Sequence, residues 1–140
     1  MDSRVLLATL AGGIAAFFGG WLLYGMLLDP YFHGQMTEAG AAVMKDPPEM
    51  WGIAVGNLIF SFLLTLIFSR WANISTLKTG AIAGAIICAL FTLSQNFMWY
   101  AFANMSKSMA TIPVDTIGAA VLGAIIGGVI GWTLGYKRGG

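Results

Sequence analysis

Four stretches of this chain, 5–28, 50–68, 80–102 and 116–136, run for about twenty residues each with almost no charge. A helix rises ~1.5 Å per residue, so even the shortest stretch reaches roughly 28 Å, the thickness of a bilayer's hydrocarbon core. Each can cross once. The composition agrees, with 58% hydrophobic residues, 9% charged residues and a mean hydropathy of +0.80. The spans predict an all-α integral membrane four-helix bundle built as one domain over residues 1–140. Arg4 before the first run imitates a secretory signal, but the apolar core of a signal is only ~7–15 residues long. This run is longer and carries Phe17, Phe18, Trp21 and Tyr24, so it reads as a mature helix.

Four crossings put both ends on one side, and the basic residues identify that side. Arg4, Arg70, Lys78, Lys137 and Arg138 collect there, against Lys45 and Lys107 on the other. Cytoplasmic loops carry the excess of Lys and Arg, so the expected topology has both termini in the cytoplasm. The outer side then holds Asp29, Glu38, Asp46, Glu49 and Asp115, an acidic surface unsuited to nucleic acid. The capping signals fit this cut. In DPPEMW, Asp46 can cap the second helix, with Pro47 in its first position and Glu49 as the acid of a capping box. The fourth helix is expected to begin near Pro113, with Asp115 in its first turn. In the outer loop, 29–49, residues 37–45 can form a short interfacial helix.

Near the C-terminus Gly123, Gly127, Gly131 and Gly135 recur every fourth residue, a line that extends upstream to Ala119. A glycine inside a helix costs about 1 kcal/mol relative to alanine in water. In lipid, where apolar side chains gain little from association, lines of small residues let backbones approach closely. The first helix has a matching line at Ala8, Gly12, Ala16 and Gly20. The expectation is a seam between the first and fourth helices; either line can instead meet its copy in a second chain. A homo-oligomer or a larger membrane complex is therefore an expected partner arrangement, beside the lipid bilayer.

The middle helices carry polar stripes. Asn57, Ser61, Thr65 and Ser69 recur every four residues in the second, and Gly84, Cys88, Thr92 and Asn96 in the third, with Gln95 beside them. Counted from the inner ends, Asn57 and the 92–96 segment fall at similar depth, and Tyr24 of the first helix reaches the same outer half. Asn57, Gln95, Asn96, Thr92 and Tyr24 thus form the candidate polar cluster. An amide in hydrocarbon must find partners. The cluster is therefore either a hydrogen-bond clamp between the second and third helices or the floor of an outward-facing cavity.

Several chemistries lack their residues. No charged side chain falls at hydrocarbon depth in the predicted spans, which disfavours proton coupling. His33 is the sole histidine and Cys88 the sole cysteine, too few for a metal site or an intrachain disulfide. No nucleophile–base pair stands at motif spacing, so neither a catalytic role nor a cofactor is expected. Apart from Met1, the methionines at 26, 36, 44, 50, 98, 105 and 109 all fall in the outer half, as packing residues or an adaptable partner surface. Thioethers also suit Cu(I), but only Met105 and Met109 have helical ligand spacing.

The segments GGWLLYGMLLDPYF, GAIAGAI and IIGGVIGW resemble a group of small, uncharacterised four-helix bacterial membrane proteins of unknown function. The resemblance implies a four-helix fold in the bacterial inner membrane and supplies no active residues. Together these readings lead to a non-catalytic structural or accessory subunit presenting an acidic, Met-bearing outer surface to a partner. The alternative is an uncoupled small-solute channel or carrier using the polar face of the second and third helices.

Overall fold

The computed structural model describes residues 3–45, 48–103 and 107–136, and every regular element among them is helical. These are α1 (Ser3–Gly20), α2 (Asp29–Gln35), α3 (Glu38–Ala42), α4 (Met50–Leu66), α5 (Leu77–Phe102) and α6 (Thr111–Gly135). α1 and α4 continue without a break into π-helical segments, Trp21–Leu27 and Ile67–Trp71. Four continuous helices, Ser3–Leu27, Met50–Trp71, Leu77–Phe102 and Thr111–Gly135, are long and apolar enough to cross a membrane.

These four do not close into a symmetric ring. They pack in the order α4, α1, α6, α5, with a lesser contact from α4 back to α6. α6 is the centre, 56% buried across its apolar window, whereas α5 is 17% buried because α6 is its main neighbour. Exposed Ile82, Ile86, Leu90 and Phe91 cover the rest of α5, an apolar surface that would suit contact with lipid.

The glycine line of α6 meets α5, and this corrects the seam expected between the first and fourth helices. Gly123, Gly127 and Gly131 are buried against Gly84, Gly80 and the Thr76 carbonyl, and Gly135 lies over Ser75. A Cβ added at Gly127 would collide with the Gly80 carbonyl oxygen and stand 2.9 Å from the Gly84 Cα. Only glycine permits that approach. The physical reason for the correction is that α5 carries its own small line, Gly80, Gly84 and Cys88, all buried. Glycine facing glycine brings two backbones together, whereas the line on α1 is met by side chains.

That second seam holds the core. Gly12 of α1 receives Ser61 and Ile130, and Gly13 receives Leu58. Ala8, Ala16, Leu64, Phe68, Ile126, Ile130 and Leu134 form one buried cluster where α1, α4 and α6 converge. The polar stripe of α4 turns to α1: Ser61 donates to the Thr9 carbonyl at 2.8 Å. Thr9 and Thr65 each donate to the carbonyl four residues back, at 2.8 Å, so these two hydroxyls are satisfied within their own helices.

The helix ends differ from the sequence reading in instructive ways. α4 begins at Met50 with Glu49 in the capping position but making no side-chain cap; Glu49 instead accepts from Trp51 Nε1 at 2.8 Å and pairs with Lys45 at 3.3 Å. The capping role expected of Asp46 and Pro47 lies outside the described residues. α5 starts at Leu77, ahead of the predicted 80, because Thr76 accepts from the Thr79 amide. α6 starts at Thr111, which moves Asp115 from the first turn into the second. The outer loop holds two short helices rather than one: Pro30 opens α2, and Thr37 caps α3 by accepting from Gly40.

The described acidic residues gather at one end of the four spans, together with Lys45 and Lys107. Arg4, Arg70 and Lys78 stand at the opposite end, hereafter the basic end, while Asp29, Glu38, Glu49 and Asp115 mark the acidic end.

Candidate functional site

At the acidic end three helices converge on Asp115. The π-helical segment after α1, in which the Leu28 amide donates five residues back to the Leu23 carbonyl at 2.8 Å, carries Tyr24 on its wide turn. Its hydroxyl donates to the Asp115 carbonyl at 3.1 Å. From α5, Asn96 Nδ2 donates to Asp115 Oδ2 at 2.8 Å. Asn96 lies on the same face as Gly84 and Cys88, three turns beyond the first and two beyond the second, so the register of the glycine seam brings it to α6. No basic side chain pairs with Asp115 among the described residues. The carboxylate is held by a neutral amide donor and lies near the N-terminal, positive end of α6.

A pocket of about 300 Å³ opens over this node, lined by Tyr24, Phe32, Met36, Met44, Asn96 and Asp115. Phe32 comes from α2 and stacks on Tyr24 with centroids 6.1 Å apart. The loop that supplies Met36 is tied to the α5–α6 connection, since the Lys107 amide donates to the Gln35 carbonyl at 2.7 Å. Beside it lies an apolar groove of about 450 Å³ between α1, α4 and α6, which includes Phe17, Trp21, Ile53, Asn57 and Leu122. Tyr24 lines both cavities and divides them.

Of the candidate polar cluster, the structure brings Tyr24 and Asn96 together at Asp115. Thr92 and Gln95 are half-buried on α5. Asn57 is elsewhere, in the apolar groove against α1, because α4 packs on α1 while α5 packs on α6. The polar face expected between the second and third helices is therefore not formed, and Asn57 does not meet Gln95 or Asn96. The residue the sequence reading missed as a site member is Asp115. Its signal was present in Tyr24, Asn96 and Asp115 sharing one depth, but a helix started at Pro113 makes Asp115 a terminal cap.

His33 is exposed and pairs with Asp29 within α2, its Nδ1 lying 3.0 Å from the carboxylate. Among the described residues no three His, Cys, Asp or Glu side chains converge as a metal site would need. Met105, one of the two methionines at helical ligand spacing, lies outside the described residues. Between the two ends the helix interface is filled: Leu64, Phe68 and Ile130 are fully buried and Ile126 nearly so.

No curated protein and no solved structure matches the chain. One family does, described as a protein of unknown function and covering residues 7–132. A match across all four apolar helices settles the membership: the chain belongs to the family DUF1761.

Proposed function

We propose that this is a non-catalytic integral membrane protein that serves as a structural or accessory subunit, docking a partner at its acidic, Met-bearing end. The observation that carries the reading is the filled interior. Leu64, Phe68 and Ile130 fill the interface between α1, α4 and α6, and the buried hydroxyls beside them, Thr9, Ser61 and Thr65, donate to backbone carbonyls rather than being left open along a path. Docking suits that arrangement better than conduction. The pocket at Asp115 offers a carboxylate without a basic partner among the described residues, two stacked rings and the adaptable thioethers of Met36 and Met44. A partner that places a cationic side chain over Asp115 supplies the missing charge.

The charge distribution supports both termini being cytoplasmic, since Arg4, Arg70 and Lys78 share one end, and the bacterial inner membrane is the setting that the sequence resemblance implies. A reporter fused after Arg138 is expected on the cytoplasmic side, and a periplasmic signal would reverse the proposed docking face. The decisive experiment is purification of the tagged full chain from native membranes in a mild detergent. A stoichiometric companion, whether another protein or a second copy of this chain, that is released by Asp115→Asn supports docking. A chain that emerges alone under crosslinking as well as without it overturns the proposal.

A further inference from the structure

At the basic end the second π-helical segment builds a cavity of its own. The Ala72 amide donates back to the Ile67 carbonyl and the Ile74 amide to the Phe68 carbonyl, both at 2.9 Å. Asn73 sits between them with φ of 53°, the left-handed conformation that closes a helix end and that asparagine tolerates among non-glycine residues. This turn folds back beneath the bundle and encloses a cavity of about 290 Å³ whose polar lining is Arg4, Ser69, Asn73 and Ser75. Ser69 Oγ is shielded from solvent and has no hydrogen-bond partner among the described residues, which is uncommon for a buried hydroxyl.

Arg4 also lines a second cavity. This is an apolar groove of about 460 Å³ between α1 and α6, walled by Leu6, Leu7, Leu10 and Tyr136. Leu6 and Leu7 are both 54% exposed and Leu10 is 46% exposed, so the groove is open on the side that faces lipid. A cation thus stands at the junction of a polar cavity and an apolar groove. We propose that the basic end holds one anionic phospholipid, its phosphodiester headgroup in the polar cavity and an acyl chain along the groove. Arg4 supplies the charge-assisted contact to the phosphate, Asn73 and Ser75 supply neutral donors from the same lining, and the leucines of α1 cover the chain. A free phosphate shares the headgroup chemistry but has no use for the groove.

The full-length protein, delipidated in detergent, is titrated with dioleoylphosphatidylglycerol, dioleoylphosphatidylcholine or inorganic phosphate, with native mass spectrometry and thermal melting as readouts. The expected result is one retained phosphatidylglycerol and a raised melting temperature, with phosphatidylcholine binding roughly tenfold more weakly or worse and phosphate giving no shift. Arg4→Gln should weaken phosphatidylglycerol binding by roughly tenfold or more, while Arg70→Gln, outside both cavities, leaves it unchanged. Leu7→Asn tests the groove separately and should reduce retention of the lipid. Circular dichroism of each variant in lipid-free detergent establishes that it is folded. A folded Arg4→Gln protein that binds phosphatidylglycerol as tightly as the parent overturns the proposal. So do equal binding of the two lipids and a melting shift reproduced by inorganic phosphate alone.

Discussion

The α5–α6 seam and the α1–α4–α6 seam are both built on small residues, yet they use them differently. In the first, glycine faces glycine, and the space a Cβ would need is occupied by carbonyl oxygens and Cα atoms of the other helix. In the second, Gly12 and Gly13 are sockets for Ser61, Ile130 and Leu58 side chains. A backbone cannot yield to an added atom without moving a helix, whereas a side chain can change rotamer. One seam is therefore intolerant of substitution and the other adjustable. In lipid, where no hydrophobic force draws helices together, a helix such as α5, with α6 as its main neighbour, would gain contact area by approaching very closely.

The largest effect should come from Gly127→Leu, which drives α5 away from α6 and is expected to cost more than about 3 kcal/mol in reversible unfolding in detergent. Ile125→Leu, on the exposed face of the same helix, should stay within about 0.5 kcal/mol. If both substitutions cost the same, the glycine contact is not what holds α5. Gly12→Ala tests the adjustable seam, where the added methyl meets Ser61 Oγ and the Ile130 side chain. A loss of about 1–2 kcal/mol is expected, smaller than for alanine at Gly127, and the reverse order would break the distinction. Ser61→Ala removes the hydroxyl that donates to Thr9 and should cost roughly 0.6–2 kcal/mol, measured by the same unfolding curves. The smallest effect belongs to Asn57→Leu, expected within about 0.5 kcal/mol because Asn57 lines a groove rather than either seam. Combined with Gln95→Leu, its effect should be additive; coupling between the two would mean that α4 and α5 meet after all.

The four spans were legible because twenty apolar residues in a row have few other solutions. The pairing of those spans was not. Small-residue lines recur on α1, α5 and α6, and periodicity shows which face of a helix is smooth without showing which neighbour it meets. Deciding between α1 and α5 as the partner of Gly127 requires knowing that the Gly80–Gly84–Cys88 line is uninterrupted, and Cys88 fits a polar stripe with Thr92 and Asn96 as well as it fits a line of small packing residues. The site was half legible. Tyr24 and Asn96 stand out as polar groups deep in apolar runs, but Asp115 was absorbed into a capping role by placing the helix start at Pro113. α2 was overlooked because DPYFHG looks like a turn until Asp29 and Pro30 are taken together as a helix start.

α6 is synthesised after α1, α4 and α5, yet it is the one that α1 and α5 both pack against. If the spans enter a bilayer in chain order, α1 and α4 can pair as soon as both are there, since their shared surface includes the Ser61–Thr9 bond. α5 would then enter a bilayer with its glycine face turned to lipid and little to hold it until α6 arrives. For that interval the nascent protein is a hairpin with a solitary helix tethered by a short loop. Quality control acting on unassembled spans has its opening there, and a ribosome halted before α6 would expose α5 to it.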